Sequence, residues 1–373
     1  MKTKVLLLGG GLQGLSFGES LRKEAGYEVS VISDDYENRK SVFFQTRFLL
    51  PANDYDDNLR SVLAKSHFDV IVPMGDKAAS FLSRNKNRIE TEYGIKCAIA
   101  DYSSLSLVED KSRLMAFCMA NSFPHPKTER IDNDCLETAA KTVGFPSLIK
   151  PDFSVGARGI TLVNSVEELK RVFPGIFDNY GTCTLQEYID NPDYYYNVMI
   201  YRNSNGKCLG HAITRIYRMH PVKGGSSSCC VTIENELLFS ICLSVLDKLG
   251  WVGMADFDVL QRKDTMEYKI IEINPRVPAS LRAAQISGVN FPQIIVNDAL
   301  GQSVPSYKYL PGKTLRYLGL DLLWFLHSPQ RFRRLGEWLQ FFGKNIYYQD
   351  IYMNDWSTWY SWLVAGLRKL KRT

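Results

Sequence analysis

The sequence predicts a two-part protein, with an α/β domain at the N-terminus and a larger α+β region after it. Predicted strands and helices alternate up to about residue 105, as in a doubly wound parallel sheet. Beyond that point two pairs of predicted strands form hairpins, one over residues 197–216 and one over residues 251–273. A chain of 373 residues that is 45% hydrophobic has core enough for two or three such units.

The N-terminal domain begins with a short apolar strand, KVLLL at 4–8, which runs directly into GGGLQG at 9–14. These glycines match the G-x-G-x-x-G pattern of dinucleotide-binding domains. A second strand at 27–32 ends at Asp34 and Asp35, where such domains place a ribose-binding acid. The pattern is compatible with a nicotinamide-dependent oxidoreductase, but glycines here also permit tight packing of a helix on a strand.

A lysine on a strand followed by a glycine-rich loop is the first sign of a phosphate site. The strand at 145–151 carries Lys150 and leads into the letters SVGARGI. Ser154, Gly156 and Gly159 would form a flexible loop whose backbone N–H groups can approach phosphate. Lys150 would supply a positive charge beneath that loop. The alternative is an ordinary hairpin loop with glycines at positive φ.

Two further segments carry polar groups suited to a nucleotide and an anionic substrate. The strand at 182–189 bears Gln186 and Glu187, and a strand edge with a carboxylate and free backbone groups can hold an adenine and a ribose. Arg215 is the first of four cationic or ionisable residues that precede the loop GGSSS, the others being Arg218, His220 and Lys223. They indicate either an anionic substrate, such as a carboxylate, or a solvated surface.

The stretch YKIIEINPR at 268–276 predicts a metal site. Glu272 interrupts an apolar strand, and a buried carboxylate needs a cation nearby. Glu272 and Asn274 leave the strand on the same face, and oxygen ligands of this kind suit Mg²⁺. The hairpin should bring Asp258 close to Glu272, while Arg276 could contact phosphate oxygens. A strand end with a Glu–Arg ion pair is the alternative.

The charge, the cysteine spacing and the hydropathy argue against several other classes of protein. The net charge of +5 is spread along the chain and does not indicate nucleic acid. The eight cysteines show no spacing typical of a zinc site, so reduced thiols in a cytoplasmic protein are expected. No apolar stretch approaches the ~18 residues of a transmembrane helix.

Six features follow one another along the chain: Lys111, Lys150, SVGARGI, LQEYI, FDV and EINPR. In this order and spacing they resemble the ATP-grasp superfamily, in particular proteins like the large subunit of carbamoyl-phosphate synthase. The resemblance covers roughly residues 1–300. It implies a Rossmann-like pre-ATP-grasp domain at 1–108 and a two-subdomain ATP-grasp fold at 109–310, with a lid at about 120–185. The remaining residues, 311–373, would form a helical extension. The resemblance also implies that GGGLQG is not a nicotinamide site.

The resemblance assigns roles by position. The residues expected to bind ATP are Lys111, Lys150, Ser154, Gly156, Gly159, Gln186, Glu187, Tyr188, Ile189 and Asp193. Those expected to hold Mg²⁺ or Mn²⁺ are Asp258, Glu272 and Asn274. Arg276 would stabilise the transferring phosphoryl group, and Arg215 would hold the substrate carboxylate beside it.

The predicted activity is an ATP-dependent ligation of a small carboxylate to an amine, through an acylphosphate, with ADP and phosphate as products. A single ATP site argues against a full carbamoyl-phosphate synthase. The two alternatives are the oxidoreductase built on GGGLQG and a catalytically silent ATP-binding module. The oligomeric state does not follow from the sequence, which is compatible with a homodimer.

The C-terminal extension contains two amphipathic segments rich in aromatic and basic residues, at 331–342 and 357–373. The second places Trp359 and Trp362 on one side of a predicted helix and crowds basic residues at its end. This pattern is typical of a helix lying on anionic lipid, which would make the protein peripheral at the inner face of the membrane. Packing on the ligase core or on a partner subunit is the alternative.

Overall fold

The computed structural model describes residues 2–33, 41–50, 54–153, 158–222 and 224–352, with residues 355, 356, 358 and 360. Within these residues the chain forms three β-sheets, of five, four and seven strands. Helices cover the sheets, and none of the described helices is both long and apolar enough to cross a membrane.

The N-terminal five-stranded sheet is parallel, with strand order β3-β2-β1-β4-β5. Its elements are β1 (Thr3–Leu8), α1 (Gly11–Lys23), β2 (Tyr27–Ile32), β3 (Thr46–Phe48), α2 (Tyr55–Leu63), β4 (Val70–Pro73), α3 (Asp76–Tyr93) and β5 (Lys96–Cys97). Gly9 and Gly11 have φ values of +95° and +73°, so the turn after β1 requires the glycines of the motif. The chain leaves the sheet in opposite directions at β1 and β4, where α/β folds open a crevice.

Two helices, α4 (Tyr102–Glu109) and α5 (Lys111–Ala120), lead to the four-stranded antiparallel sheet, whose order is β6-β9-β7-β8. This unit comprises β6 (Thr128–Ile131), α6 (Leu136–Val143), β7 (Ser147–Pro151), β8 (Thr161–Val163), α7 (Val166–Tyr180) and β9 (Cys183–Glu187). It has a hydrophobic core of its own, which includes Leu169 and Phe173, both fully buried. It lies within the range predicted for the lid.

The seven-stranded sheet has the order β14-β13-β10-β11-β12-β15-β16 and is antiparallel except for its last pair. Its first five strands and their helices are β10 (Tyr195–Arg202), β11 (Cys208–His220), β12 (Ser226–Ile233), α8 (Glu236–Lys248), β13 (Gly253–Gln261), β14 (Tyr268–Asn274), α9 (Leu281–Ile286) and α10 (Phe291–Ala299). One face packs on α8, the other on α9 and α10. Both predicted hairpins are present.

The C-terminal extension is not wholly helical, which corrects the prediction. It contributes β15 (Thr314–Arg316), α11 (Leu318–His327), α12 (Leu335–Trp338) and β16 (Ile346–Tyr348). The two strands add to the edge of the large sheet left open by β12. Only one turn of 331–342 is helical, because the carbonyls of Trp338 and Gln340 accept hydrogen bonds from the Arg316 guanidinium, at 2.9 and 2.6 Å. The predicted lipid-binding helix at 357–373 lies almost wholly outside the described residues.

Candidate active site

Acidic and amide side chains gather on one face of the large sheet because of strand register. Asp258 lies opposite Glu272, and Asp256 lies opposite Asn274, across the β13–β14 pair. On the other side of β13, Asn197 of β10 lies opposite Asp258 and donates its side-chain amide to that carboxylate. Residues directly opposite each other share a face of an antiparallel sheet, so all five side chains point the same way. The predicted Asp258–Glu272–Asn274 group is therefore brought together.

Burial makes this face unfavourable for negative charge. Burial first, and the charge of Glu272 second, raise the pKa of Asp258 to about 7. Asp256 is only 3% exposed, and burial followed by the charge of Asp258 raises its pKa well above the usual value. Its Oδ1 atom finds no hydrogen-bond partner among the described residues. An unpartnered buried oxygen among carboxylates fits the environment of a bound cation.

The donor set fits a hard divalent cation. Carboxylates of Asp258 and Glu272 with the amide oxygen of Asn274 supply only oxygen, which Mg²⁺ and Mn²⁺ accept. No group of three or more His, Cys, Asp or Glu side chains in the described part of the chain could hold a metal by itself. A magnesium ion here would therefore draw further ligands from water or substrate phosphates, as it usually does.

Two lysines stand against this acidic face. Lys111 is the first residue of α5, whose N-terminus is capped by Asp110 through the Arg113 N–H at 3.1 Å. The Lys111 ammonium lies 3.6 Å from a Glu272 carboxylate oxygen. Lys150 is 8% exposed, and burial lowers its pKa to about 8 although the charge of Glu272 opposes this shift. Positive groups thus border the predicted metal ligands, as phosphate binding requires.

Arg276 completes the cationic side and joins it to the N-terminal domain. Its Nε donates to Asp76 at 2.7 Å, and its Nη2 lies 3.4 Å from the Asn274 amide oxygen. Asp76 begins α3, directly after β4, at the crevice of the parallel sheet. Neither Asp76 nor Asn197 was predicted as a site residue. The position of Asp76 after a strand and a glycine was the one available signal.

The segment predicted to flank the adenine lies beside Lys150. The Lys150 ammonium donates to the Gln186 side-chain oxygen at 2.6 Å, and Glu187 forms an ion pair with Arg262. Ile189 is buried, Tyr188 is half-buried, and Asp193 is exposed in the turn before β10. These contacts leave the adenine and ribose roles as predictions.

The glycine loop is described only in part, since Ser154 and Gly156 lie outside the described residues. Gly159 has a φ of +75°, and an added Cβ there would come within 2.8 Å of the Pro151 side chain. Glycine is therefore required at the C-terminal end of the loop.

The predicted catalytic role of Arg215 is wrong. Arg215 lies opposite Tyr196 on β10, whereas the neighbouring pair, Thr214 and Asn197, belongs to the acidic face. One residue along a strand reverses the face, so Arg215 points away from Asp258. Its guanidinium instead lies over the Tyr194 ring, 5.4 Å from the centroid.

The other cations of that stretch do not provide a substitute. Arg218 is 1% exposed and forms a two-pronged ion pair with Asp321, with N–O distances of 2.6 and 3.0 Å. Lys223 lies outside the described residues. Of the predicted carboxylate-binding cations, the two arginines are therefore engaged elsewhere, over the Tyr194 ring and with Asp321.

The arrangement of sheets and helices around this site is the ATP-grasp fold. The biotin carboxylase domain of 2-oxoglutarate carboxylase from Hydrogenobacter thermophilus, solved as a dimer with MgADP and bicarbonate, superposes with a TM-score of 0.70. The two chains are 18% identical, and the alignment covers 84% of this chain and 73% of that one.

Residues 113–306, just over half of the chain, match the family model of the carbamoyl-phosphate synthase L chain, ATP binding domain. The chain belongs to this family.

Two curated relatives match at similar identity. The N-terminal section of the carbamoyl phosphate synthase large chain from Methanopyrus kandleri is 24% identical over 223 residues, covering 56% of this chain but 39% of the relative. D-aspartate ligase from Enterococcus faecium is 25% identical over 281 residues, covering 70% of this chain and 64% of the ligase. The chain thus spans less than two thirds of either relative.

Proposed function

We propose that the protein is a Mg²⁺-dependent ligase that uses ATP to join a small carboxylate to an amine, releasing ADP and phosphate. The observation that carries the proposal is the meeting of two oppositely charged groups on one sheet face. Asp258, Glu272 and Asn274 form the acidic group, while Lys150 and Arg276 belong to the cationic group. Burial disfavours the charged forms of both Asp258 and Lys150, and a metal–triphosphate would bring complementary charge to each.

The side chains then have distinct tasks. Lys111 and Lys150 would bind ATP phosphates as point charges, and the loop that ends at Gly159 would cover them. Arg276, held by Asp76, would stabilise charge on the phosphoryl group during transfer. A magnesium ion bound by the acidic group would neutralise phosphate charge and orient the triphosphate.

The protein contributes positioning and charge rather than a nucleophile. A carboxylate oxygen of the substrate attacks the γ-phosphorus, and the bond to the β-phosphate oxygen breaks, releasing ADP. The amine then attacks the acyl carbon of the acylphosphate, loses a proton and expels phosphate. The family match, and the D-aspartate ligase and carbamoyl phosphate synthase names of the curated relatives, support this reaction class.

Measurements of nucleotide binding distinguish the proposed ligase from the alternative that GGGLQG is a nicotinamide site. Calorimetric titration should show ATP binding that is strengthened by Mg²⁺, and no comparable binding of NAD or NADP. Phosphate release can then be screened against a panel of carboxylates and amines. Tight NAD binding without ATP binding would contradict the proposal, and ATP binding without turnover on any acid would favour a silent module.

The domain boundaries at 108 and 310, the cytoplasmic location and the homodimer stay predictions. The Hydrogenobacter thermophilus domain was solved as a dimer, which supports testing this chain for self-association. Analytical ultracentrifugation would measure it directly.

A further inference from the structure

The C-terminal extension presents a group of exposed apolar side chains that the proposed reaction does not use. We call it the C-terminal apolar surface, and it comprises Leu322, Leu326, Phe332, Leu339 and Phe342. Their exposed fractions are 52%, 57%, 70%, 55% and 93%, respectively. Single exposed apolar residues are normal, whereas several that adjoin on the surface mark an interaction site.

Aromatic rings link these residues beneath the surface. The Phe325 ring stacks on Trp338 at 4.2 Å and meets Phe332 edge-on at 6.3 Å. Trp338 in turn meets Phe341 edge-on at 5.2 Å. Leu322 and Leu326 lie one turn apart on α11, so they share the face that flanks Phe325. Phe332 thus belongs to a ring cluster with Phe325, Trp338 and Phe341, and each other member of the surface lies on α11 or next to one of these rings in the chain.

A buried ion network holds that base to the large sheet. Asp321 accepts hydrogen bonds from both Arg218 and Arg316, and all three residues are 1% exposed. Trp338 donates its indole N–H to the Asp321 carbonyl at 3.2 Å. Charged hydrogen bonds thus anchor α11 and the Trp338 segment to the large sheet.

The same surface is positively charged. Residues 328–349 contain four cationic side chains and one acidic one, Glu337, for a net charge of +3. Glu337 is bound by Arg334 at 2.8 Å, while Arg333 and Lys344 are exposed. Apolar side chains projecting among cations match the boundary of an anionic bilayer, where acyl chains lie beneath negative headgroups.

We propose that the C-terminal apolar surface binds peripherally to membranes that contain anionic lipid. A second copy of the chain fits poorly, because a two-fold interface would set this cationic surface against itself. The chain's own residues 361–373 fit poorly too, since they carry four basic residues and no acidic one. The inference does not depend on the proposed ligase activity.

The C-terminal apolar surface lies several strands away from the active site. Three strands, β10, β11 and β12, separate β13 of the site from β15 of the extension. At ~4.8 Å between neighbouring strands this is roughly 19 Å across the sheet. Contact of this surface with a membrane would therefore take place at the other side of the sheet from β13.

Vesicle co-sedimentation of the full chain tests the proposal. The vesicles are phosphatidylcholine alone, or phosphatidylcholine with a minority of phosphatidylglycerol. One variant, F332S/F342S, removes the two most exposed phenylalanines of the surface, and a second, R333Q/K344Q, removes two exposed cations. The control is Leu237→Ser, which removes an apolar residue of α8 that is 63% exposed and lies outside the C-terminal apolar surface.

We expect the wild type to bind the anionic vesicles only. F332S/F342S should reduce the vesicle affinity about tenfold or more, because the favourable transfer free energy of two phenylalanine side chains into the bilayer is lost. R333Q/K344Q should weaken binding by a similar factor and reduce its salt dependence, whereas Leu237→Ser should match the wild type. All variants should melt at the wild-type temperature.

Wild-type failure to bind anionic vesicles would overturn the proposal, as would unchanged binding by F332S/F342S. Loss of a dimer in F332S/F342S would assign the surface to a second copy instead. Binding abolished by heparin but insensitive to F332S/F342S would indicate an acidic macromolecule, and the lipid assignment would fall.

Discussion

Replacing Glu272 with glutamine should remove most of the turnover while leaving the protein folded. Glutamine has the same shape but no charge, so it loses both the metal ligand and the attraction for Lys111. Removing one preorganised charge or hydrogen-bond partner from a transition state typically lowers kcat about 10²–10³-fold, or about 2.7–4 kcal/mol. We expect a loss of that size in kcat for ADP release.

Stability should change little, for reasons visible in the structure. Glu272 is 33% exposed and its contact with Lys111 is 3.6 Å long, so the pair contributes less than about 1 kcal/mol. Against that loss, the substitution relieves repulsion between Glu272 and Asp258, which contributes to the raised pKa of Asp258. The two effects oppose each other, and the free energy of unfolding should shift by no more than about 1 kcal/mol.

The assay is ADP release at saturating ATP, with thermal unfolding of the same samples and a titration of Mg²⁺. The matched control is Glu267→Gln, which removes an exposed glutamate from a similar lysine contact of 3.4 Å with Lys269. Glu267→Gln should keep wild-type kcat. Wild-type kcat in Glu272→Gln would refute the assignment of the metal face.

Three other predictions concern neighbouring groups. The buried Lys150 has a pKa of about 8, and phosphate favours its charged form, so ATP binding at pH 8 should be accompanied by proton uptake. Calorimetry in buffers of different ionisation enthalpy should measure this uptake and show that it is smaller in Lys150→Met. At pH 6 the uptake should fade, because Lys150 is already protonated before ATP binds. Asp76→Asn should lower kcat by up to roughly a hundredfold with little change in KM for ATP, because Arg276 loses the ion pair that positions its guanidinium. An unchanged kcat would show that Arg276 does not depend on this ion pair. Asp321→Asn should destabilise the protein by about 3–5 kcal/mol in urea unfolding, because two buried guanidinium groups lose their shared carboxylate. An exposed control, Asp247→Asn, should cost less than about 1 kcal/mol.

The strand pairing at the site was predictable because it is local. Asp258 and Glu272 lie in two strands joined by a short turn, and the two-residue period of a strand fixes which side chains share a face. Lys150 could be recognised as a phosphate-binding candidate from the glycine-rich loop that follows its strand, whereas Lys111 could be placed at the site only through the family resemblance, since it is far from Glu272 in sequence. In the structure the Lys111 ammonium lies 3.6 Å from a Glu272 carboxylate oxygen, and its role in binding ATP phosphates stays a prediction.

The residues and strands that were misplaced or missed depend on contacts between segments far apart in the sequence. Arg215 is on a strand separated from β13 by β10, and nothing in its own pattern shows which face meets Asp258. Asp76 meets Arg276 across 200 residues of chain, through the docking of two domains. The strands β15 and β16 have three residues each, and they form because β12 offers an open edge.

The identity of the ATP products, measured with hydroxylamine in place of the amine, tests the central claim most directly. Once an accepted carboxylate has been found, the reaction should give ADP and phosphate, and hydroxylamine should trap the activated acid as its hydroxamate. Both the hydroxamate and the excess ADP should disappear when the carboxylate is omitted. Formation of AMP and pyrophosphate would mean that the carboxylate is activated as an adenylate, and the acylphosphate mechanism would be wrong.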